Sequence, residues 1–286
     1  MPSIAISELL EVGAKQKKSF DDSIEFEKSS EEVIADKVSI VRQDVLEFLK
    51  SLPNESVDLI ITDPAYSGMN QHLMLGKGRI IGTYNDKGEN GKWFEEFHDT
   101  PDNYKQFLTE CKRILKNDRH LFIMFDSFSL LSLGTMVRDA FNVKNIITWD
   151  KVNIGMGHYF RRQTEFIMFA SKGKRPITRR DIPDIWKIKR LHRAGYPTQK
   201  PVELFEAMIA SSKSKDDKNF VVCDPFTGSG SAAIASIKQG TTFIGCDISP
   251  KAISLCKSRV EEFIKTGIDI SQSKPAYDPS TQKKFW

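Results

Sequence analysis

Short runs of consecutive apolar residues alternate along the chain with stretches in which apolar positions recur every three or four residues. Residues 38–41, 57–62, 121–125, 143–149, 164–170, 220–223 and 242–246 are of the first kind and predict strands. Residues 44–52, 101–116, 128–141, 201–212, 231–239 and 250–264 are of the second kind and predict helices. Pro101 stands in a first turn, where its missing N–H breaks no helix bond. Strands that are apolar throughout must be covered on both faces. The alternation therefore predicts an α/β fold, a mostly parallel sheet with helices on both sides. Such sheets take ligands at the carboxyl ends of their strands.

Three segments fall outside this pattern. Residues 1–37 are polar and acidic and read as an arm, and residues 271–286 read as a polar tail. Residues 67–92 hold Gly68, Gly76, Gly78, Gly82, Gly88 and Gly91 with little periodicity. Loops of that length are more often functional or disordered than structural, and this one directly follows Asp63-Pro64-Ala65-Tyr66; a disordered insertion without a role is the plainer reading. The 286 residues suffice for one large domain or two small ones, and no run approaches the roughly 20 apolar residues of a membrane helix. Residues 1–20 lack a basic-then-apolar export pattern, and four scattered cysteines argue against a disulfide framework or an all-cysteine zinc site. No metal is expected, and a reducing, cytoplasmic setting fits.

Charge is unevenly spread. The formal net charge is +4, yet residues 1–36 carry nine acids against four lysines, and residues 161–200 carry twelve bases against three acids. A one-sided basic stretch is what a phosphate backbone attracts; a solvated loop is the plainer reading.

The most specific pattern lies near the C-terminus. Val221-Val222-Cys223-Asp224-Pro225-Phe226-Thr227-Gly228-Ser229-Gly230-Ser231-Ala232-Ala233 reads as strand, tight loop and helix, and Asp247 ends the next strand. Gly228-x-Gly230-x-x-Ala233 fits a nucleotide-binding turn, with Asp247 placed for a ribose hydroxyl pair. A P-loop is excluded, since no lysine follows the glycines. A dinucleotide would put its pyrophosphate beside Asp224, which would repel it. S-adenosylmethionine has a ribose, an adenine and two cationic centres but no phosphate, and it fits better. Asp224 and the loop backbone suit its methionyl end. Because the loop leaves room for only two strands after it, the rest of the sheet must come from earlier in the chain. The fold is then circularly permuted, with 38–41 as third strand and Asp44 near the cofactor adenine.

Asp63-Pro64-Ala65-Tyr66 closes a buried strand. Asp-Pro alone is a common turn starter. Beside a methyl donor it can do chemistry. The exocyclic amine of adenine or cytosine is a poor nucleophile because its lone pair is delocalised. The Asp63 carboxylate and the Pro64 carbonyl can accept its two N–H bonds and hold the nitrogen out of conjugation, while Tyr66 can stack on the base. A base inside a duplex cannot reach such a pocket and must be flipped out.

The combination resembles the β-class amino-methyltransferases of DNA. Their D-P-P-Y motif corresponds to Asp63-Pro64-Ala65-Tyr66, and their later F-x-G-x-G motif to Phe226-Thr227-Gly228-Ser229-Gly230. Pro197-Thr198-Gln199-Lys200-Pro201 resembles the segment that closes over the methionyl part, and residues 155–173 resemble the segment lining the target pocket. The resemblance spans about residues 38–265. It implies Asp63, Pro64 and Tyr66 at the target amine, and Asp44, Asp224, Phe226, Thr227, Gly228, Ser229, Gly230, Asp247 and Lys200 at S-adenosylmethionine. It implies one catalytic methyltransferase domain over 38–270, with residues 172–196 as a short basic recognition segment. Arg161, Arg162, Lys174, Arg175, Arg179, Arg180, Lys189, Arg190 and Arg193 are expected to contact DNA. The motif's second proline is Ala65 here, which frees one φ angle but keeps the Pro64 carbonyl.

The aspartate at position 63 is typical of N6-adenine enzymes, so the implied activity is site-specific methylation of adenine N6 in DNA. N4-cytosine methylation, RNA base methylation and a non-catalytic nucleic-acid-binding subunit are the alternatives. Expected partners are double-stranded DNA and, less directly, a second copy of the chain and a cognate restriction enzyme; no membrane is expected.

Overall fold

The computed structural model describes residues 31–35, 37–66, 97–155, 159–191, 196 and 198–271. Nine strands form one sheet: β1 (Glu31–Ala35), β2 (Val38–Arg42), β3 (Val57–Thr62), β4 (Leu115–Phe125), β5 (Asn142–Asp150), β6 (Thr164–Lys172), β7 (Ile185–Lys187), β8 (Val221–Asp224) and β9 (Thr242–Asp247). Their order is β1-β2-β9-β8-β3-β4-β6-β5-β7. The five strands from β2 through β4 run parallel, β6 is antiparallel to both its neighbours, and β1 is antiparallel to β2. The glycine-loop strand β8 comes late in the chain yet sits mid-sheet, and β2 occupies the third-strand position beside β9, as the permuted order requires.

Strand side chains alternate between two cores. Ile60, Leu121, Ile123 and Phe125 face α1 (Val45–Ser51), α2 (Pro101–Ile114) and α3 (Ser127–Ala140). Leu59, Ile61, Phe122 and Met124 face α4 (Val202–Ser212), α5 (Ser231–Lys238) and α6 (Pro250–Thr266). This double burial is the reason the strands read as unbroken apolar runs. The crossover through α5 leaves β8 toward β9, and the crossover through α2 leaves β3 toward β4, on opposite faces. The adjacent pair β8 and β3 is therefore a topological switch point, where such sheets open a crevice at their carboxyl ends.

The structure departs from the sequence reading in three places. The acidic arm does not run free to residue 37, because Glu31–Ala35 pairs with β2 as an edge strand. Strand β4 starts six residues before the expected 121. Its first half is polar because Lys116 and Arg119 reach Asp58 at 2.8 and 2.9 Å instead of entering the core. The three-residue β7 was too short to show a period. Residues 1–30, the whole of the 67–92 segment (with 93–96) and 272–286 lie outside the described residues. Among the described residues no helix is long and apolar enough to cross a membrane.

Candidate active site

A cavity of about 250 Å³ opens at the carboxyl ends of β3, β8 and β9. The two motifs, some 160 positions apart, line it together: Asp63, Pro64 and Ala65 on one side, Asp224 to Ser229 and Asp247 on the other. Pairing of β3 with β8 at Leu59–Val222 and Ile60–Cys223 brings their ends to one edge.

The glycine loop is held by its own backbone. Thr227 donates its N–H to the Cys246 carbonyl at 2.9 Å and its hydroxyl to the Asp224 carbonyl at 3.0 Å. Asp247 accepts from Gly228 N–H and Ser249 N–H, both at 2.9 Å. Gly230 has φ +81° and caps α5; a Cβ there would strain the backbone and overlap the Cys256 sulfur. Gly230 therefore shapes the loop from behind and does not line the cavity. Gly245 is a second close approach, where a Cβ would overlap the Thr227 hydroxyl. The Phe226 ring sits 5.4 Å from Phe97 and 5.8 Å from Phe107.

Asp224 is 2% exposed, and Phe226 N–H donates to it at 3.0 Å. Burial pushes its carboxyl well above the ordinary range, and no cationic side chain pairs with it among the described residues. Burial also raises the Asp247 carboxyl, against its backbone hydrogen bonds. A pocket with two such carboxylates suits a cationic ligand and repels a phosphate. Asp44 lines the same cavity, but its Oδ1 caps α1, accepting from Leu46 N–H at 2.8 Å.

On the acceptor side Asp63 is partly buried and faces Lys200, whose Nζ lies 3.2 Å from its Oδ2. Lys200 also reaches Glu165 Oε2 at 3.0 Å, and Glu165 Oε1 meets Lys151 at 3.0 Å. Lys200 was expected at the methionyl end of the cofactor. It lines the cavity, yet its ammonium is held between the Asp63 and Glu165 carboxylates. Removal from water pushes the Asp63 carboxyl upward, and Lys200 offsets part of that rise. Burial also pushes Glu165 up, but Lys200 and Lys151 overcome it and hold its carboxyl at about 2. Both acids keep the Lys200 ammonium charged against its own burial.

The Pro64 carbonyl accepts from Tyr66 N–H at 3.1 Å, a tight three-residue turn that leaves its second lone pair. Tyr66 does not stand in the cavity. Its ring is 2% exposed and stacks 5.4 Å from Phe125, and its hydroxyl donates to the Met124 carbonyl at 3.1 Å. The expected stacking of Tyr66 on a base is therefore not available in this arrangement; the ring buttresses the loop from the core. Phe97 bridges the two halves, donating its N–H to the Ala65 carbonyl at 2.9 Å while packing on Phe226.

A family model described as DNA methylase matches residues 57–258, which covers both motifs and the sheet between them. The chain belongs to the DNA methylase family. The type II methyltransferase M2.DpnII of Streptococcus pneumoniae is 28% identical over 249 residues, 79% of this chain and 90% of the relative. The DNA adenine methyltransferase YhdJ of Escherichia coli (strain K12) is 25% identical over 261 residues, 78% of this chain and 82% of the relative. Among solved structures, the M1.HpyAVI–SAM complex aligns with TM-score 0.55 at 22% identity, covering 78% of this chain and 99% of that one. The PvuII DNA methyltransferase (cytosine-N4-specific) aligns with TM-score 0.57 at 13% identity, covering 84% and 98%. These two structures show a shared fold.

The basic stretch of this DNA methylase divides between the two ends of the sheet. Strand β6 starts at the cavity end and finishes at the opposite end, where Lys172 pairs with Arg119 in the ladder. Lys174 and Arg175 follow there; Lys174 N–H bonds Asp118 at 2.8 Å and Arg175 pairs with Asp217 at 2.5 Å. Thr178 N–H bonds the Ser211 carbonyl at the far end of α4, and Arg179 next to it pairs with Asp181. Lys174, Arg175, Arg179 and Arg180, expected with Arg161 and Arg162 to contact DNA, thus lie away from Asp63 at the opposite end of the sheet. Arg161, Arg162, Lys189 and Arg190 stand at the cavity end, where Arg190 reaches the Ile154 carbonyl at 3.4 Å. Arg193 lies outside the described residues.

Sequence reasoning missed two residues besides Phe97. Tyr196 lines the cavity beside the glycine loop. Arg259 is buried in α6 and donates to the Ser229 carbonyl at 2.8 Å while pairing with Asp269 at 2.6 Å. The signal for Arg259 was present, since it lies between Cys256 and Val260 on the apolar stripe of α6. Among the described residues no cluster of His, Cys, Asp and Glu could hold a metal.

Proposed function

We propose that this DNA methylase moves a methyl group from S-adenosylmethionine to the exocyclic N6 of adenine, flipped out of double-stranded DNA at a specific site. The observation that carries the reading is the shared cavity: a carboxylate and a free carbonyl lone pair at Asp63 and Pro64 face a loop built for a cationic nucleoside. Asp247 would take the ribose hydroxyls, Asp224 and the 226–229 backbone the methionyl end, and Phe226 would border the adenine. Bound S-adenosylmethionine would supply an electrophilic methyl on its sulfonium. Asp63 and Pro64 would hold the amine nitrogen in line with that methyl, the N–C bond forming as the S–CH₃ bond breaks and the neutral thioether leaves, with the proton on nitrogen passing by way of Asp63 to solvent.

Asp at position 63 favours adenine, and a relative named as a DNA adenine methyltransferase supports that choice. We place the catalytic machinery in one domain over residues 38–270, extended at its edge by β1. A cytoplasmic location, a second copy of the chain and a cognate restriction enzyme are further parts of the proposal, the last supported by relatives named type II methyltransferases. Methylation-sensitive long-read sequencing of DNA from cells expressing the chain tests the core claim. N6-methyladenine in one short context is expected; N4-methylcytosine or methylation of RNA alone would replace the reading.

Two further outcomes are expected. Asp247→Ala should weaken S-adenosylmethionine binding by about ten- to a hundredfold in calorimetry, since one charge-assisted ligand contact is lost. The rate at saturating cofactor should fall much less. Charge reversal of Arg161 and Arg162 should cut duplex affinity and flatten its salt dependence, whereas reversal of Arg175 and Arg179 should not. Equal losses in a filter-binding salt series would contradict the division of the basic stretch.

A further inference from the structure

We propose that Tyr159 and Phe160 form a wedge that enters the DNA stack where the target base has left it. The proposal rests on the reading that the substrate is a base flipped out of a duplex, and it names the surface that makes room for flipping. The hairpin joining β5 to β6 is rooted at the active site. Trp149 pairs with Glu165 at its base, and Glu165 is linked through Lys200 to Asp63 at 3.0 and 3.2 Å. Its described arms are tied together: Lys151 N–H bonds the Gln163 carbonyl at 2.9 Å, and Gly155 N–H bonds the Arg162 carbonyl at 2.8 Å. Arg161 Nε adds a bond to the Gly155 carbonyl at 2.7 Å.

On this braced support two successive aromatic rings stand in water. Tyr159 is 94% exposed and Phe160 fully so. Large rings are normally among the most area-burying side chains, and nothing covers these among the described residues. Phe128 and Leu131 of α3 are exposed as well, and the guanidinium of Arg162, two residues beyond Phe160, lies 4.9 Å above the Phe128 ring. The surrounding charge identifies the occupant. Arg161, Arg162, Lys189 and Arg190 all stand at this end, and Arg190 is bonded to the same hairpin. Aromatic faces flanked by cations match stacked bases flanked by phosphates. A second copy of the chain would set these cations against their like.

A base that leaves the stack gives up both its neighbours, and an inserted ring replaces part of that contact. The double variant Tyr159→Ala/Phe160→Ala removes only exposed atoms, so the fold should stand, which a thermal melt checks. Methyl transfer is measured on a duplex carrying the unmethylated recognition site, and on the same duplex with an abasic position opposite the target base. On the paired duplex kcat/KM should fall about ten- to a hundredfold, the worth of one base–aromatic stack. On the abasic duplex the variant should return to within about threefold of wild type, because opening no longer needs help. Equal losses on both duplexes, or no loss on either, would overturn the wedge. So would light scattering that shows the variant breaking a dimer while transfer stays unchanged. If the wild-type chain methylates no DNA at all, the underlying reading fails first and the two failures are told apart.

Discussion

Asp63→Ala is expected to lower methyl transfer to duplex DNA by about a thousandfold or more while leaving S-adenosylmethionine binding near wild type. The split follows from how the cavity is built. The donor half is self-supporting: Thr227 hangs from Cys246, Asp247 holds Gly228, and Arg259 pins Ser229, none of them through Asp63. The acceptor half depends on one carboxylate. Without it the amine keeps its lone pair in conjugation, and the Pro64 carbonyl alone cannot fix the nitrogen in line. The local fold should survive, because Lys200 retains Glu165 at 3.0 Å. Tritiated methyl transfer and calorimetric cofactor titration together decide. Unchanged transfer would remove Asp63 from the chemistry, and lost cofactor binding would show that the two halves are not separable.

What the chain discloses in advance follows from the kind of force involved. Buried strands read directly, since Val57 and Ile60 of β3 enter one core and Leu59 and Ile61 the other. The glycine loop reads as well, because a φ of +81° at Gly230 admits almost no other residue. The permuted order followed from counting the strands left after that loop. Side-chain direction did not read. Tyr66 follows Asp63 by three residues, yet its ring turns into the core, where Phe125 offers apolar contact and the Met124 carbonyl a partner. Lys200 lies in a cofactor-type motif, but two carboxylates from β3 and β6 claim its ammonium. Linear charge also misled. Arg161 and Arg175 are fourteen positions apart in one basic run, and β6 carries them to opposite ends of the sheet. Gly245 looked like an ordinary strand residue until Thr227 packed against its missing side chain.

The Asp63–Lys200–Glu165 chain yields the sharpest electrostatic test, because removing its cation and removing its far carboxylate should move Asp63 in opposite directions. Asp63 would accept both amine N–H bonds fully, and draw off the nitrogen's proton, only when ionised, so activity should be lost as pH falls through its pKa. Burial raises that pKa, Lys200 lowers it, and the neighbouring Glu165 charge raises it. Lys200→Met removes the lowering influence, so the acidic limb of the kcat profile should move to higher pH. At neutral pH the rate should drop as a larger share of Asp63 is protonated, and it should recover as the pH is raised. Glu165→Gln removes a like charge and frees Lys200 to face Asp63 alone, so the same limb should move to lower pH. Lys200→Arg keeps the cation and should restore most of the wild-type profile. A variant that merely loosened the cavity would slow the reaction at every pH and shift neither limb. Measured pH–rate profiles for the three variants, with melting curves to confirm folding, separate these cases. Shifts of the same sign from Lys200→Met and Glu165→Gln would show that Asp63 is not governed by this pair of charges.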